Sequence, residues 1–226
     1  MLRPTLALLL CIASVTAHAD DQARSVGPFS KISISGPMNL TVDAGKPFSL
    51  TVQGDAKYIG RVKTRVVNGE LRISMDDDSN LKMRKHERVL VSMPSLTSFD
   101  AEGAGLARLN NVQGDRLDVD YSGAGSVIIN GKVRYVRINA EGVGELDAKG
   151  LIAQEANVSF EGIGAVSIHA SEKLTVDVEG MGNLSYYGNP RIGRITTAGV
   201  VTTFSHPDLA GPDGITATPG GMWFTD

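Results

Sequence analysis

The side chains best placed for chemistry in this chain are acidic. The stretch DDDSNLKMRKHE at 76–87 sets Asp76, Asp78, Asn80 and Glu87 at the first, third, fifth and twelfth places of a calcium loop. Such a loop wraps oxygen ligands around one cation and turns sharply on a glycine at its sixth place. Here Leu81 stands at that place, and Lys82, Arg84, Lys85 and His86 crowd the same stretch. It reads instead as a solvated connection between strands, carrying both signs of charge. His86, His169 and His206 are far apart in sequence and have no recurring partners. No cysteine nucleophile, G-x-S-x-G turn, paired metal ligands or phosphate loop is written. SGAGSVIING at 122–131 begins like a dinucleotide fingerprint, but its third glycine is misplaced and no helix follows. The expectation is a protein that is not an enzyme and that carries no cofactor or metal.

The remaining acids recur at a spacing. Glu102, Glu141, Glu161 and Glu179 each precede a glycine pair, with Ser122 interrupting the series, and Asp100, Asp120 and Asp177 lie two residues earlier. The pairs are Gly103/Gly105, Gly123/Gly125, Gly142/Gly144, Gly162/Gly164 and Gly180/Gly182, within AEGAGLARL, YSGAGSVII, AEGVGELDAKG, FEGIGAVSI and VEGMGNLSY. Their first glycines are 20, 19, 20 and 18 residues apart, and a weaker sixth copy, TTAGVVTTF, places Gly199 another 19 on. A fixed period of this kind marks a solenoid.

Within each unit the alternation has period two. Val119/Tyr121, Ile138/Ala140, Val158/Phe160 and Val176/Val178 fall on one side before the glycines, and Val127/Ile129, Leu146/Ala148, Val166/Ile168 and Leu184/Tyr186 after them. This is the pattern of half-buried strands. Helices are excluded, because each interior glycine would cost about 1 kcal/mol and no 3.6-residue stripe is present. Coils of about 19 residues stacked in parallel give an all-β fold, a parallel β-solenoid. The glycines fall where each coil bends, either to adopt torsions that a Cβ would oppose or to pinch inward where no side chain fits.

Two outer columns follow. Glu102, Glu141, Glu161, Glu179, Asp120 and Asp177 form a candidate acidic ladder. Neighbouring carboxylates about 4.8 Å apart in water repel by only about 0.9 kcal/mol, so a solvated ladder is tolerable; weak cation capture between coils is the sharper alternative. The residues between the glycines, Ala104, Ala124, Val143, Ile163 and Met181, form a candidate partner stripe if strict alternation holds. A corner that rotates the chain would bury them, and burial is the expectation, because corners usually break alternation.

Three stretches then carry a resemblance: FSKISISGPMNLTVDAG at 29–45, MPSLTSFDAEGAG at 93–105, and the repeated EGxG and SGxG units. In this order they resemble the head GIN domain family described as a putative auto-transporter adhesin, from about Val26 to about Pro207. The resemblance implies a right-handed parallel β-helix and an adhesive function.

Residues 1–19 read as an export signal: Arg3, an apolar run from Leu6 to Val15, and the small-x-small site Ala17-His18-Ala19. Cys11, the only cysteine, lies in it, so disulfides are not expected in the mature chain. Residues 20–92 are expected to be β-rich but out of phase with the repeat, forming the first coils and a cap, with Asn68-Gly69 as a hairpin turn. Residues 93–207 form the coils, and 208–226 an irregular cap or tail in which Trp223 and Phe224 cover core.

The formal charge of −3 provides no basic face for nucleic acid, and no later run reaches transmembrane length. The functional expectation is a non-catalytic exported protein of the envelope, periplasmic or at the cell surface. It would be an adhesin-like scaffold for extended ligands such as glycans, or for protein partners. A periplasmic structural or stress-related module and a carbohydrate-active β-helix enzyme are the alternatives.

Overall fold

The computed structural model describes residues 20–75, 84, 86–198, 201–205, 215–218 and 221–224, with the backbone alone at 20 and from 192 onward. The expected leader with Cys11, most of the calcium-like stretch, Gly199, His206 and the side chains of Trp223 and Phe224 lie outside the described residues. In chain order the strands are β1 Asp20–Ala23, β2 Lys31–Ser35, β3 Leu40–Ala44, β4 Ser49–Gly54, β5 Val62–Val67, β6 Glu70–Met75 and β7 Arg88–Met93. They continue with β8 Ser98–Tyr187, β9 Arg191–Ala198, β10 Val201–Ser205, β11 Ile215–Thr218 and β12 Gly221–Phe224; helix α1 spans Ala56–Arg61. That helix is too short to cross a membrane, and no other is found among the described residues.

The 90 residues of β8 would stretch roughly 300 Å at about 3.3 Å each. Instead the strand lies on itself. Gly123 sits against the carbonyl of Gly103, Gly142 against Gly123, Gly162 against Gly142 and Gly180 against Gly162. The second glycines form their own line: Gly105 sits against the carbonyl of Met38, Gly125 against Gly105, Gly144 against Gly125, Gly164 against Gly144 and Gly182 against Gly164. Side chains bridge the same interval: Asn139 Nδ2 donates to Asp120 Oδ1 at 2.7 Å, and Arg137 Nε to Asp118 Oδ1 at 3.1 Å. Successive passes therefore run in one direction, 18 to 20 residues apart, as the glycine spacing predicts. β9 and β10 continue the stack, both parallel to β8, with Val176 beside Ile195 and Leu184 beside Phe204.

The glycine pairs differ in one respect from the expected bends. Strand pairing runs without interruption through all five of them, so the chain passes each pair with no loop. At the first line the torsion also selects glycine, with φ between 123° and 143° from Gly103 to Gly180. Along the second line that pressure fades. Gly125 and Gly144 lie near the extended limit, at 157° and 152°, and Gly164 and Gly182 fall outside the glycine-selecting range. What Gly125, Gly144 and Gly164 share is lack of space: a Cβ on any of them would overlap the carbonyl oxygen of the preceding pass. Close approach, more than a left-handed turn, is what the second glycine serves.

The other end of the stack departs from the expectation. Residues 31–44 are not out of phase. β2 and β3 pair in parallel with β8, Ile34 beside Ala101 and Val42 beside Leu109, and Gly36 and Met38 lie beneath Gly103 and Gly105. SGPMN is thus one more copy of the corner, with methionine in place of the second glycine. An insertion of strands and helix separates it from the next copy, which hides the period in sequence. Asn39 ties three layers together, donating to the Glu87 carbonyl at 3.3 Å and accepting from Leu106 N–H at 3.3 Å.

The inserted segment supplies the next layer. β6 pairs in parallel with β2, and β7 with β3. β5 and β4 then add in antiparallel fashion at the two edges, and β1 pairs with β4. The result is one large open sheet of order β1-β4-β7-β3-β8-β2-β6-β5. As the turn residues predict, Asn68 and Gly69 link β5 to β6, with φ of 51° and 74°, the left-handed pair that a tight hairpin requires.

Helix α1 was not legible in the alternation. Asp55 caps it by accepting the Tyr58 N–H at 2.8 Å. Its far end is closed by Arg24, whose guanidinium donates to the carbonyls of Ile59 at 2.9 Å and Val62 at 2.6 Å. The tail also differs from an irregular cap along its described backbone: β11 and β12 pair as an antiparallel hairpin, Ile215 opposite Phe224.

The core is one continuous column of apolar side chains. One inward row alternates in size, Ala101, Tyr121, Ala140, Phe160, Val178. Parallel strands stand only about 4.8 Å apart, so a ring fits best where the residues beside it are small. The fit has a cost at Tyr121, whose hydroxyl is buried and lacks a hydrogen-bond partner.

The corner sets the tightest constraint. A Cβ added at Gly142, where φ is 123°, would collide with the carbonyl oxygen of Gly123. Gly142→Ala is therefore expected to lower stability by roughly 2–4 kcal/mol through overlap and backbone strain. Gly27→Ala, with nothing within 4 Å, should change it by less than about 0.5 kcal/mol. Urea midpoints of the two variants check this; equal midpoints would remove the corner from its place in the stability argument.

Candidate functional site

The two strand segments that meet at each glycine corner present alternate residues to solvent, so each outer column is a line of equivalent positions. Immediately before the corner, Glu102, Ser122, Glu141, Glu161 and Glu179 are all exposed. Two residues earlier run Asp100, Asp120, Asn139, Ser159 and Asp177. Between these columns lies an open groove of about 360 Å³, lined by Asp100, Glu102, Asp120, Asn139, Glu141 and Glu161. The predicted ladder is therefore brought together on one face, with Asp177 and Glu179 continuing it one layer on.

Its charges are not equivalent. Asp120 accepts from Asn139, and Arg137 reaches it at 3.4 Å. Asp118, on the adjoining column, is held below the usual carboxylate range chiefly by its hydrogen bond from Arg116, with Arg137 adding to it. Among the described residues, Asp100 has no cation as a partner. Loss of hydration in the groove raises its pKa first, and Asp120, Glu70 and Glu102 raise it further. Among the described residues, no group of three or more acids, histidines or cysteines converges so as to hold a metal ion.

The stripe between the glycines is exposed, contrary to the expected burial. Ala104 and Ala124 face solvent, and Val143, Ile163 and Met181 are 55%, 49% and 52% exposed. The reason lies in the stack. On either side of the stripe, at Gly123 and Gly125, Gly142 and Gly144, or Gly162 and Gly164, a carbonyl of the neighbouring pass fills the place where a Cβ would sit. Alternation passes through the corner unbroken, and the middle side chain can leave only outward. Among the described residues, the other exposed large apolar side chains, Phe48 and Ile152, are less open than these.

Among the described residues, the histidines do not come together. His86 lies beside Asp55 near the N-terminal edge, whereas His169 packs against Gly188 several layers away. The polar pairings on the outer face, such as Arg116 over the Tyr135 ring at 4.8 Å and Arg134 with Asp115 at 2.5 Å, do not follow from the alternation of the sequence. The 19-residue offset between Asp115 and Arg134 was the available clue.

A stacked all-β molecule with regular outer columns, and with no assembled catalytic centre among its described residues, belongs to the class of β-rich repeat modules. The chain is a member of the family described as Putative auto-transporter adhesin, head GIN domain, whose model matches residues 28–190. No curated protein matches it in sequence. Its fold is similar to that of a putative adhesin from Bacteroides fragilis, at 21% identity and a TM-score of 0.69, covering 84% of this chain and 98% of that one. Weaker likenesses are a putative lipid binding protein from Parabacteroides distasonis (14% identity, TM-score 0.46, 84% of this chain and 97% of that) and a putative adhesin from Parabacteroides merdae (16%, 0.43, 82% and 95%).

The raised pKa of Asp100 has a definite sign. The folded protein binds this proton more tightly than the unfolded chain does, so the group favours folding below the ordinary carboxyl range, and that contribution is lost as pH rises through the raised value. Asp100→Asn should therefore raise Tm at pH 7, by roughly 1–2 °C, and leave it unchanged at pH 3. The same rise at both pH values in thermal melts would show that charge is not the cause.

Proposed function

We propose that the protein is an exported, non-catalytic binding scaffold of the bacterial envelope, adhesin-like in kind, that presents one corner and its adjoining face to an extended partner. Its backbone is read as a right-handed parallel β-helix. Residues 20–92 supply the first layers and their cap, 93–207 the coils and 208–226 the far end. The family membership and the leader-like first 19 residues support export.

The observation that carries the binding reading is the apolar stripe. Three large side chains, Val143, Ile163 and Met181, stand about half exposed at equivalent positions on consecutive layers. Contiguous apolar surface rimmed by polar residues is the mark of an interaction site rather than of a solvated wall. The acidic ladder beside it supplies that rim and discourages partners of like charge. The corner glycines hold the stripe straight, at a repeat of about 4.8 Å. A line of this kind suits an extended glycan or a protein edge better than a compact small molecule.

Two measurements test the proposal. Protease added to intact cells should cleave the mature protein while a periplasmic marker survives. Cleavage confined to osmotically opened cells would remove the adhesive reading and leave a periplasmic structural module. Replacing Val143, Ile163 and Met181 together by serine should then reduce the protein's retention on its target surface by about tenfold or more. The urea midpoint should scarcely move, because these side chains contribute nothing to the core. Undiminished retention would clear the stripe of any binding role.

A further inference from the structure

The outer side of the sheet changes sign beyond the acidic groove. Ser33 pairs with Asp100 on one side and with Arg72 on the other, and Arg72 stands directly opposite Arg65. In the next row Ser35 pairs with Ser74, and Ser74 with Lys63. Residues two apart on a strand share a face, so Ser33, Ser35, Arg72, Ser74, Arg65 and Lys63 form a two-by-three array. They line a second groove of about 360 Å³, separate from the acidic one.

The array contains an arrangement that folding alone does not favour. Like charges directly opposite each other in an antiparallel pair are destabilising, yet Arg65 and Arg72 occupy such a pair and both are exposed. Glu70 compensates only part of this, accepting from Arg72 Nε at 2.6 Å. Arg65 makes no hydrogen bond or ion pair among the described residues. Neither guanidinium anchors the core, in contrast to Arg24, whose donors are taken up by the carbonyls around α1.

We infer that this groove is an anion site for a phosphate group. Two guanidinium forks whose Cβ atoms stand about 5 Å apart across an antiparallel pair can share one small tetrahedral anion, each fork giving two parallel N–H donors. The serine hydroxyls add neutral donors along the adjoining strands. A carboxylate has two oxygens and is satisfied by one fork; a phosphate has enough acceptors for both. The acidic groove beyond Ser33 repels the same anion and so confines it to the lower part of the face. This site is independent of the apolar stripe and extends the chemistry of the face beyond it.

The test begins with inorganic phosphate titrated into the isotope-labelled full chain and followed by NMR, with chloride at matched ionic strength as control. Saturable shifts of the Arg65 and Arg72 side-chain N–H signals and of the Ser33 and Ser74 amides are expected with phosphate only. The double variant R65Q/R72Q should weaken the response at least tenfold, and R65K/R72K, which keeps the charges but loses the forks, should fall between. Amide spectra of the variants report whether the fold is kept. Co-sedimentation with phosphatidylcholine vesicles containing phosphatidic acid identifies the source. Sedimentation lost in R65Q/R72Q assigns a lipid-borne phosphate, and a phosphate response without sedimentation assigns a soluble phosphorylated ligand. No saturable response in the folded wild type, or an undiminished one in R65Q/R72Q, overturns the site.

Discussion

At every corner of this protein a backbone carbonyl of one pass occupies the space where the next pass would carry a Cβ. That contact runs from Gly36 and Gly103 through Gly123, Gly142 and Gly162 to Gly180, and a parallel line runs from Met38 and Gly105 through Gly125, Gly144 and Gly164 to Gly182. It brings the layers to sheet spacing where the first glycine of each pair leaves ordinary strand torsions, so the hydrogen-bonded ladders on both sides stay in register. Everything on the surface inherits that register. A side chain at one position of a unit stands over its counterpart in the next, and the molecule acquires columns.

Columns explain both the interior and the exterior. Inside, the row Ala101, Tyr121, Ala140, Phe160 meets the close spacing by alternating small and large, and Tyr121 packs half-buried against the core at the cost of an unpaired hydroxyl. Burial of each large aliphatic side chain contributes about 1.5–3 kcal/mol, and the stack multiplies that gain with every layer. Outside, opposite charges pair between layers, as with Arg137 and Asp118, while each exposed ion pair is worth at most about 1 kcal/mol. The outer columns are thus weakly constrained by stability, which leaves them free to carry recognition.

The face that results is graded. An apolar ridge follows the corner, acids flank it, and a basic, serine-lined end lies beyond Asp100 on the inserted strands β5 and β6. The insertion that interrupts the repeat therefore does more than close one end of the sheet: it brings cations to a face that the repeat itself makes acidic.

Much of this was legible beforehand. The glycine spacing and period-two alternation sufficed for an all-β chain whose strands return every 18 to 20 residues, and for the side on which Val119, Ile138, Val158 and Val176 would lie. The Asn68-Gly69 turn and the acidic column were equally readable, because each depends on local torsion or on the period. The phase of residues 31–44 was not, since their partner unit lies 67 positions away across an insertion and their corner carries Met38 in place of glycine. Nor was the exposure of Val143, Ile163 and Met181, because apolar composition argues for burial while the direction of a side chain at a bend depends on what the neighbouring layer has already filled. The pairing of Arg65 with Arg72, and of both with Ser33, likewise arose only from tertiary register. Sequence determined the period and the inward face through local alternation; the stacking of distant segments decided which residues became neighbours and which were left exposed.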